Sequence, residues 1–413
     1  MMDVQWAFIS LFTASLAHFI LRIVLGRELG PEGLGVYTLA FTFYLFGTQF
    51  AAFGIGSALT KYVAEFIDDH ATIRKYVSSG MTSSIITGTL MGVVLFLLAP
   101  YIANSFFKVP DLEGLIQLTA ICYPFIAIQK AVVGTLNGFR RMYHYALLNI
   151  VQNVSVVGVS LVLVLVFRQG VQGAVVGFVT STILIGILCP FLIRAHIGLD
   201  DSLWDIPALR ATTIFGFYVM LAGSIAYLNT QINSILIGYY LNPTEVGIFA
   251  VAVLLAQMLT LIPSAVGSVT APVTATLYGK GDLDGVRHVF YSTLKKSILI
   301  SAGSAAIIAV CGSCLISLLF GKIFLGAYIP LLILLPGFVF GASFAAVGST
   351  LSSIGKVHIL FRIGLVCVVF NILLNILLIP SFGIIGAAIA TSVMTVVNFG
   401  ITMVITRTYL LVR

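Results

Sequence analysis

Long apolar segments separated by short polar ones make up almost the whole chain. Twelve runs reach the roughly twenty residues that a helix needs to cross a bilayer. Their approximate positions are 4–25, 34–59, 77–99, 112–136, 143–166, 171–194, 211–237, 244–269, 297–319, 326–350, 357–378 and 383–407. None of them alternates apolar and polar residues as barrel strands do. The pattern therefore predicts an all-α polytopic membrane protein with about twelve transmembrane helices.

Composition agrees with this pattern. Hydrophobic residues make up 60% of the chain and charged residues only 8%, whereas a soluble domain carries about 25% charged residues. The net charge of +7 could suit nucleic acid, but the basic residues stand singly or in pairs between apolar runs. That distribution is typical of cytoplasmic loops, so we predict membrane lipids and no nucleic acid as partners.

The basic residues also predict the orientation. If the N-terminus is cytoplasmic, sixteen of the 21 Lys and Arg residues fall in cytoplasmic loops and termini. Because cytoplasmic loops carry an excess of Lys and Arg, we expect both termini in the cytoplasm.

The two halves of the sequence repeat one another at an offset of about 213 residues. The segment ILRIVLGRELGPEGLGVYTLA from Ile20 aligns without a gap with INSILIGYYLNPTEVGIFAVA from Ile232. The match continues at four further pairs in the same order: Asp69 with Asp282, Pro124 with Pro336, Gly170 with Gly383, and Gly173 with Gly386.

Each repeated position has a structural interpretation. Pro31 and Pro243 predict breaks between consecutive helices, because proline cannot continue a helix. Asp69 and Asp282 are suited to cap short cytoplasmic helices, and Pro124 and Pro336 predict kinks in their helices.

Six spans per repeat is an even number, so both halves enter the membrane in the same direction. They should form two six-helix lobes related by a pseudo-two-fold axis along the membrane normal, as in transporters with parallel repeats. We expect an N-terminal lobe at 1–195, a cytoplasmic linker at 196–210 and a C-terminal lobe at 211–413. Two such lobes would enclose a central cavity and suit alternating access.

All fourteen acidic residues lie in predicted loops or at the ends of spans. Transport driven by protons or sodium, and export of organic cations, commonly use a carboxylate within the membrane. This sequence predicts no such carboxylate site. It also contains no metal-ligand motif, phosphate-binding glycine loop or nucleophile–base pair, so we predict no cofactor, no metal and no enzymatic activity.

Basic residues give the first candidate binding residues. Ser15, His18 and Arg22 follow helical spacing along one stripe of the first span. Arg22 either extends its head group to the outer interface or forms part of a phosphate-binding surface. Arg27 would join such a surface. Arg362 could serve the cytoplasmic mouth, although an anchor in the cytoplasmic interface is the simpler interpretation. We interpret Lys130 in the same way.

Pairs of amide side chains one helical turn apart are the second set of candidates. Asn229 and Asn233 lie on the seventh span, and Asn371 and Asn375 on the eleventh. Facing lipid would cost each pair several kcal/mol, so they face other helices or water. Hydrogen bonds between helices and a hydrated surface that contacts sugar hydroxyls are the two alternatives.

The segment GRELGPEGLGVYTLA from Gly26 resembles the signature of the polysaccharide and O-antigen flippases, and LLIPSFGIIGAAIATSV from Leu377 is similar to that family's region between helices eleven and twelve. These proteins form the oligosaccharide branch of the multidrug, oligosaccharidyl-lipid and polysaccharide exporter superfamily. The resemblance extends over the whole chain and implies twelve helices in two lobes.

The resemblance implies transport of a polyprenyl-diphosphate-linked oligosaccharide from the cytoplasmic to the outer leaflet of the plasma (inner) membrane. By position, Arg22 and Arg27 match the family's basic cavity residues. Protein partners, if any, would come from polysaccharide assembly. Three alternatives remain: a multidrug exporter of the same superfamily, a partner without transport activity in a polysaccharide-synthesis complex, and a membrane glycosyltransferase.

Overall fold

The computed structural model describes residues 2–198 and 201–411, and throughout these residues the chain is helical without a strand. Thirteen α-helices follow one another in the described ranges. They are α1 (Met2–Ala52), α2 (Ile55–Glu65), α3 (His70–Pro100), α4 (Asp111–Ile121), α5 (Tyr123–Gly138), α6 (Met142–Leu161), α7 (Gly170–Leu188), α8 (Ile206–Tyr240), α9 (Pro243–Gln257), α10 (Leu261–Gly279), α11 (Leu283–Leu319), α12 (Tyr328–Ser353) and α13 (Val357–Leu411). The predicted all-α class is confirmed.

Among the described residues, nine helical segments are long and apolar enough to cross a membrane, or ten if α4 and α5 count as one bent span. The multi-pass membrane character predicted from the sequence is therefore confirmed. The bend between α4 and α5 is 44° and adjoins Pro124, as its missing amide N–H predicts. At Pro336 the helix α12 continues.

Two glycines interrupt the longest helices. Gly30 in α1 has φ 67° and ψ −173°, and Gly383 in α13 has φ 58° and ψ −142°. Both conformations are open mainly to glycine, which has no Cβ. Pro31 follows the first of these glycines, so the predicted break before the second span is confirmed.

Two helices that follow polar turns, α3 and α11, have side-chain caps at their first turn. Asp69 accepts hydrogen bonds from the Ala71 and Thr72 amides, each 3.1 Å long, and Asp282 accepts one of 2.8 Å from the Gly285 amide. These carboxylates satisfy amide groups that have no partner within the helix. The predicted capping role is confirmed, although the helices they begin, α3 and α11, are long rather than short.

Contacts group the described chain into two compact units, the first ending at Tyr227 and the second beginning at Leu228. The division falls inside α8, so the first two-thirds of that helix pack with α1–α7. The predicted lobe boundaries at 195 and 211 remain a prediction.

The segment before α8 is fixed to α3 within the first unit. The Gly198 amide donates to the Ser78 hydroxyl over 2.8 Å, and Lys75 pairs with Asp205 at 3.3 Å. Asp205 also caps α8 by accepting from the Ala208 amide at 3.0 Å. This backbone hydrogen bond, with Lys75, holds the pKa of the Asp205 carboxyl below its usual value.

Glycine contacts bring the helices of the first unit together. A Cβ on Gly54 would collide with the Gly216 carbonyl of α8, and a Cβ on Gly134 of α5 would collide with the Gly56 carbonyl of α2. The Thr60 hydroxyl donates to the Gly134 carbonyl at 2.9 Å. Small residues permit this close approach, which is how helices gain packing energy in lipid.

We therefore expect Gly134→Ala to destabilise the protein, because its methyl group would meet backbone atoms that cannot move aside. Overpacking of this kind costs roughly 1–3 kcal/mol. Gly158→Ala on α6 is the matched control, since nothing lies within 4 Å of its added Cβ. Thermal unfolding in detergent measures both, and equal melting temperatures would contradict the proposed glycine contact.

Candidate substrate-binding site

The first half of α1 carries the predicted basic stripe. Ser15 is exposed, and His18 and Arg22 are half-buried. Arg22 lies eight residues before the break at Gly30, which places it about 12 Å along the helix from that end. Arg27, one turn from Gly30, is exposed.

A hydrogen bond to α6 orients His18. Its Nε2 atom lies 3.2 Å from Oδ1 of Asn153, and its ring centroid is 5.7 Å from that of Phe41. Asn153 in turn donates to the Asn149 carbonyl at 2.7 Å. Because both side chains are held, the imidazole has a fixed position beside Arg22. Nothing in the sequence connected Asn153 with His18.

The guanidinium of Arg22 interacts electrostatically with His18 and with Tyr37 of α1. Within the ranges 2–198 and 201–411, no carboxylate forms an ion pair with it. An arginine in a membrane helix costs about 3 kcal/mol at the helix centre and less near its ends. Its neighbours His18 and Tyr37 carry no negative charge that would compensate the guanidinium of Arg22.

Three helices of the first unit share a polar contact that was not predicted from the sequence. The Tyr44 hydroxyl lies 3.3 Å from the Thr182 hydroxyl, and Gln152 donates its Nε2 to the same Thr182 oxygen at 3.1 Å. The Oε1 atom of Gln152 is buried and has no hydrogen-bond partner among the described residues. These hydrogen-bonding groups link α1, α6 and α7.

The amide candidates belong to the second unit and differ in their surroundings. Asn375 donates both to the Asn371 carbonyl, at 2.9 Å, and to the Asn371 side-chain oxygen, at 2.7 Å. Both side chains are buried, Asn375 completely. Asn233 is also buried, while Asn229 is half-buried and Arg362 is exposed. The structure thus brings together His18 with Arg22 and Asn371 with Asn375, and each pair lies within one unit.

A separate cavity of about 680 Å³ adjoins the break at Gly30 in the first unit. Its polar lining residues are Glu32, Asp111 and Gln172. None of the predicted binding residues lines it, and its acidic lining does not suit an anion. The described residues contain no cluster of side chains that could hold a metal ion.

Comparison with known proteins identifies the class. The sequence profile of the family described as "Polysaccharide biosynthesis protein" matches residues 2–278, and the MatE profile matches 211–377. Solved structures with the same fold include the lipid II flippase MurJ, at a TM-score of 0.79 and 16% identity over 98% of this chain and 87% of that one. An inward-facing multidrug transporter of the MATE family has a TM-score of 0.77 and 16% identity over 96% and 94%.

The chain belongs to the polysaccharide biosynthesis protein family, as its sequence motifs predicted. The probable low-salt glycan biosynthesis flippase of Haloferax volcanii is 25% identical over 410 residues, which cover 96% of this chain and 82% of that protein. The lipid III flippase of Escherichia coli is 33% identical over 166 residues, or 39% of this chain and 38% of that protein.

Cysteine labelling tests whether the stripe meets water. In a variant without the five native cysteines, we expect Ser15→Cys to react with a membrane-impermeant thiol reagent, because the reactive thiolate forms only where water has access. Asn375→Cys should react at least tenfold more slowly, since that position is fully buried. If Ser15→Cys is as slow as Asn375→Cys, the exposed face of α1 contacts lipid.

Proposed function

We propose that this protein is a flippase that moves a polyprenyl-diphosphate-linked oligosaccharide across the plasma membrane by alternating access, for polysaccharide biosynthesis. Membership of the polysaccharide biosynthesis family and the flippase relatives support this function. The structural observation that carries it is Arg22, which is half-buried in an apolar helix without an acidic partner. The activity requires transport and no covalent chemistry, so the protein is not an enzyme.

The number of spans follows from helix length. The helical segments Phe12–Glu65 and His358–Leu410 contain 54 and 53 residues, which corresponds to about 80 Å each. A bilayer core is only about 30 Å thick, so each segment crosses twice and turns near Gly30 or Gly383. With α4 and α5 counted as one bent span, the chain crosses the membrane twelve times and both termini lie on the same side. The distribution of Lys and Arg favours the cytoplasmic side.

The repeated motifs support two lobes of six spans, 1–195 and 211–413, joined by the linker 196–210 and related by an axis along the membrane normal. An even number of spans in each half requires that orientation. Alternating access then consists of exposing the substrate site first to the cytoplasmic and then to the outer side.

Arg22 is suited to the diphosphate of the substrate. A guanidinium presents parallel N–H groups that bind phosphate oxygens in a bidentate manner. His18 beside it adds a further hydrogen-bonding nitrogen, and Arg27 extends the positive potential toward the turn at Gly30. In this proposal Asn229, Asn233, Asn371 and Asn375 contribute contacts to sugar hydroxyls, and Arg362 attracts the substrate at the cytoplasmic side.

Multidrug export is the second candidate function, because the MatE profile matches 211–377. Organic cations require a negative site within the membrane. In the described residues the acidic side chains stand at helix ends, at the breaks and in loops, as Asp69, Asp205 and Asp282 do. This distribution favours an anionic substrate over a cationic one.

Substitution of Arg22 tests the proposal in liposomes containing purified protein and a defined lipid-linked oligosaccharide. We expect Arg22→Gln and Arg22→Glu to reduce transfer between leaflets at least a hundredfold, because the charge that holds the diphosphate is lost. Arg22→Lys should keep part of the activity, since the charge remains while the bidentate geometry does not.

Arg27→Gln is the matched control and should have a milder effect, because Arg27 is already exposed. All variants must remain monodisperse in detergent. Transport by Arg22→Gln at the wild-type rate would make Arg22 an interfacial anchor. Wild-type protein that exports cationic dyes but moves no lipid-linked oligosaccharide would instead support multidrug export.

Topology can be measured independently of transport. Single cysteines replacing Glu113, Gln169 or Glu245 should react with an impermeant reagent added outside intact cells. Cysteines replacing Asp69, Arg141 or Asp284 should react only after the membrane is opened. A single position labelled from the wrong side would contradict the twelve-span arrangement.

A further inference from the structure

A cavity of about 440 Å³ lies on the surface of the second unit, along the first turns of α11. Its lining residues are Arg287, His288, Tyr291, Ser292 and Lys295. Basic side chains dominate this lining, and no carboxylate is part of it. The composition suits an anion, because charged donors bind phosphate oxygens strongly. None of the residues assigned above to substrate transport lines this cavity.

The basic side chains of the cavity differ in how they are held. Arg287 is half-buried, and its Nε donates to the Leu410 carbonyl, near the end of α13, at 2.7 Å. Its Nη1 forms an ion pair with Asp284 at 2.7 Å. Lys295 is exposed, and no carboxylate in the described ranges pairs with it. The cavity therefore has one fixed wall and one ammonium whose charge is not compensated.

The depth of the cavity matches the head-group layer of a bilayer. Helix α11 contains 37 residues, about 55 Å, whereas a bilayer core is about 30 Å thick. Its apolar run begins at residue 297, so residues 283–296 extend beyond that core. Lys295 and Ser292 then lie about 3 and 8 Å outside the hydrocarbon. The head-group layer of one leaflet is about 5–8 Å thick, so these two side chains stand within it.

On its membrane side, the cavity continues into an exposed apolar face of the same helix. Because a helix turns about 100° per residue, His288, Lys295, Leu299 and Val310 lie within about 60° of one another around its axis. Leu299 is 62% exposed and Val310 is 81% exposed, while Phe290 on the opposite face is 1% exposed. Apolar side chains exposed inside a membrane span contact acyl chains. A basic cavity and an acyl-chain surface thus follow one another along one face of α11.

We propose that this cavity, the α11 head-group site, binds the phosphate of an anionic membrane phospholipid whose acyl chains lie along Leu299 and Val310. Lys295 provides the main charge contact, and Tyr291 has the ring and hydroxyl that are common at this level of a membrane. The distribution of Lys and Arg predicts that this end of α11 is cytoplasmic, and the cytoplasmic leaflet is the one rich in anionic lipid. The inference does not depend on the proposed flippase function.

The neighbouring residue Lys296 distinguishes a bound lipid from general surface charge. It is exposed at nearly the same depth, but it is not among the residues that line the cavity. A diffuse positive potential attracts anionic lipid through both lysines alike. A lipid held in the cavity contacts Lys295 and leaves Lys296 without a specific role.

Lipid binding to the full-length protein in detergent is the first test, with native mass spectrometry resolving the first bound lipid. We expect wild-type protein to bind phosphatidylglycerol about fivefold more tightly than phosphatidylcholine, because only the former has a net negative head group. Lys295→Gln should weaken phosphatidylglycerol binding about tenfold. Lys296→Gln should change it less than about twofold, as exposed charges do outside a specific contact. Lys295→Arg should bind nearly as the wild type does.

The position of the bound lipid is the second test. The wild-type protein is placed in nanodiscs with phosphatidylglycerol that has a photoactivatable diazirine near the head-group end of one acyl chain. After illumination, peptide mapping should find the crosslink in residues 295–303. Phosphatidylcholine with the same diazirine should label this segment much less. Neither soluble glycerol phosphate nor undecaprenyl diphosphate at the concentration of the probe should displace it.

Four results would overturn the proposal. Equal losses in Lys295→Gln and Lys296→Gln would show diffuse surface charge, and equal binding of the two phospholipids would show recognition of acyl chains alone. Displacement by glycerol phosphate would indicate a soluble phosphate ligand, and displacement by undecaprenyl diphosphate would place the cavity in the transport pathway. If Lys295→Arg loses as much binding as Lys295→Gln, Lys295 acts through packing and the charge contact is wrong. None of these measurements involves transport, so the flippase proposal is tested separately.

Discussion

A charge inside a bilayer needs a partner, and the acidic residues of this chain fall in predicted loops or at the ends of predicted spans. Arg22 and Lys130 are basic, lie well inside helical segments and have no acidic partner in the described ranges. A structural ion pair would have been the simpler way to accommodate either residue. In our proposal, an anionic substrate is the partner that compensates the charge of Arg22.

The helices around these cations are interrupted where glycine permits it. Gly54 and Gly56 allow the start of α2 to lie against α8 and α5, so that a break inside a span is covered by protein backbone. Irregular backbone at membrane depth is tolerated only where protein or water covers it. The same close approach places the backbone of Lys130 in α5 against Gly56 of α2.

Much of the fold was predictable because its signals are local. Hydrophobic length predicted the membrane helices, and Pro31 predicted the break at Gly30. The break at Phe53–Gly54 has no proline and depends on contacts with Gly216 and Lys130, which are distant in the sequence. The start of α8 in the first unit was not foreseen for the same reason. At the site, helical spacing placed His18 beside Arg22, whereas its partner Asn153 is 135 positions away.

The repeat also shows where the two halves differ. The alignment that pairs Pro31 with Pro243 pairs Arg22 with Ser234, and the one that pairs Pro124 with Pro336 pairs Lys130 with Ala342. Arg22 and Lys130 thus have no basic counterpart at the aligned positions of the second half, which has buried amides such as Asn233 and Asn375. A lipid-linked oligosaccharide has the same asymmetry, with a charged diphosphate between an apolar chain and a neutral sugar. In the proposed mechanism its charged group binds the first half of the protein at Arg22, because the aligned position in the second half is the neutral Ser234.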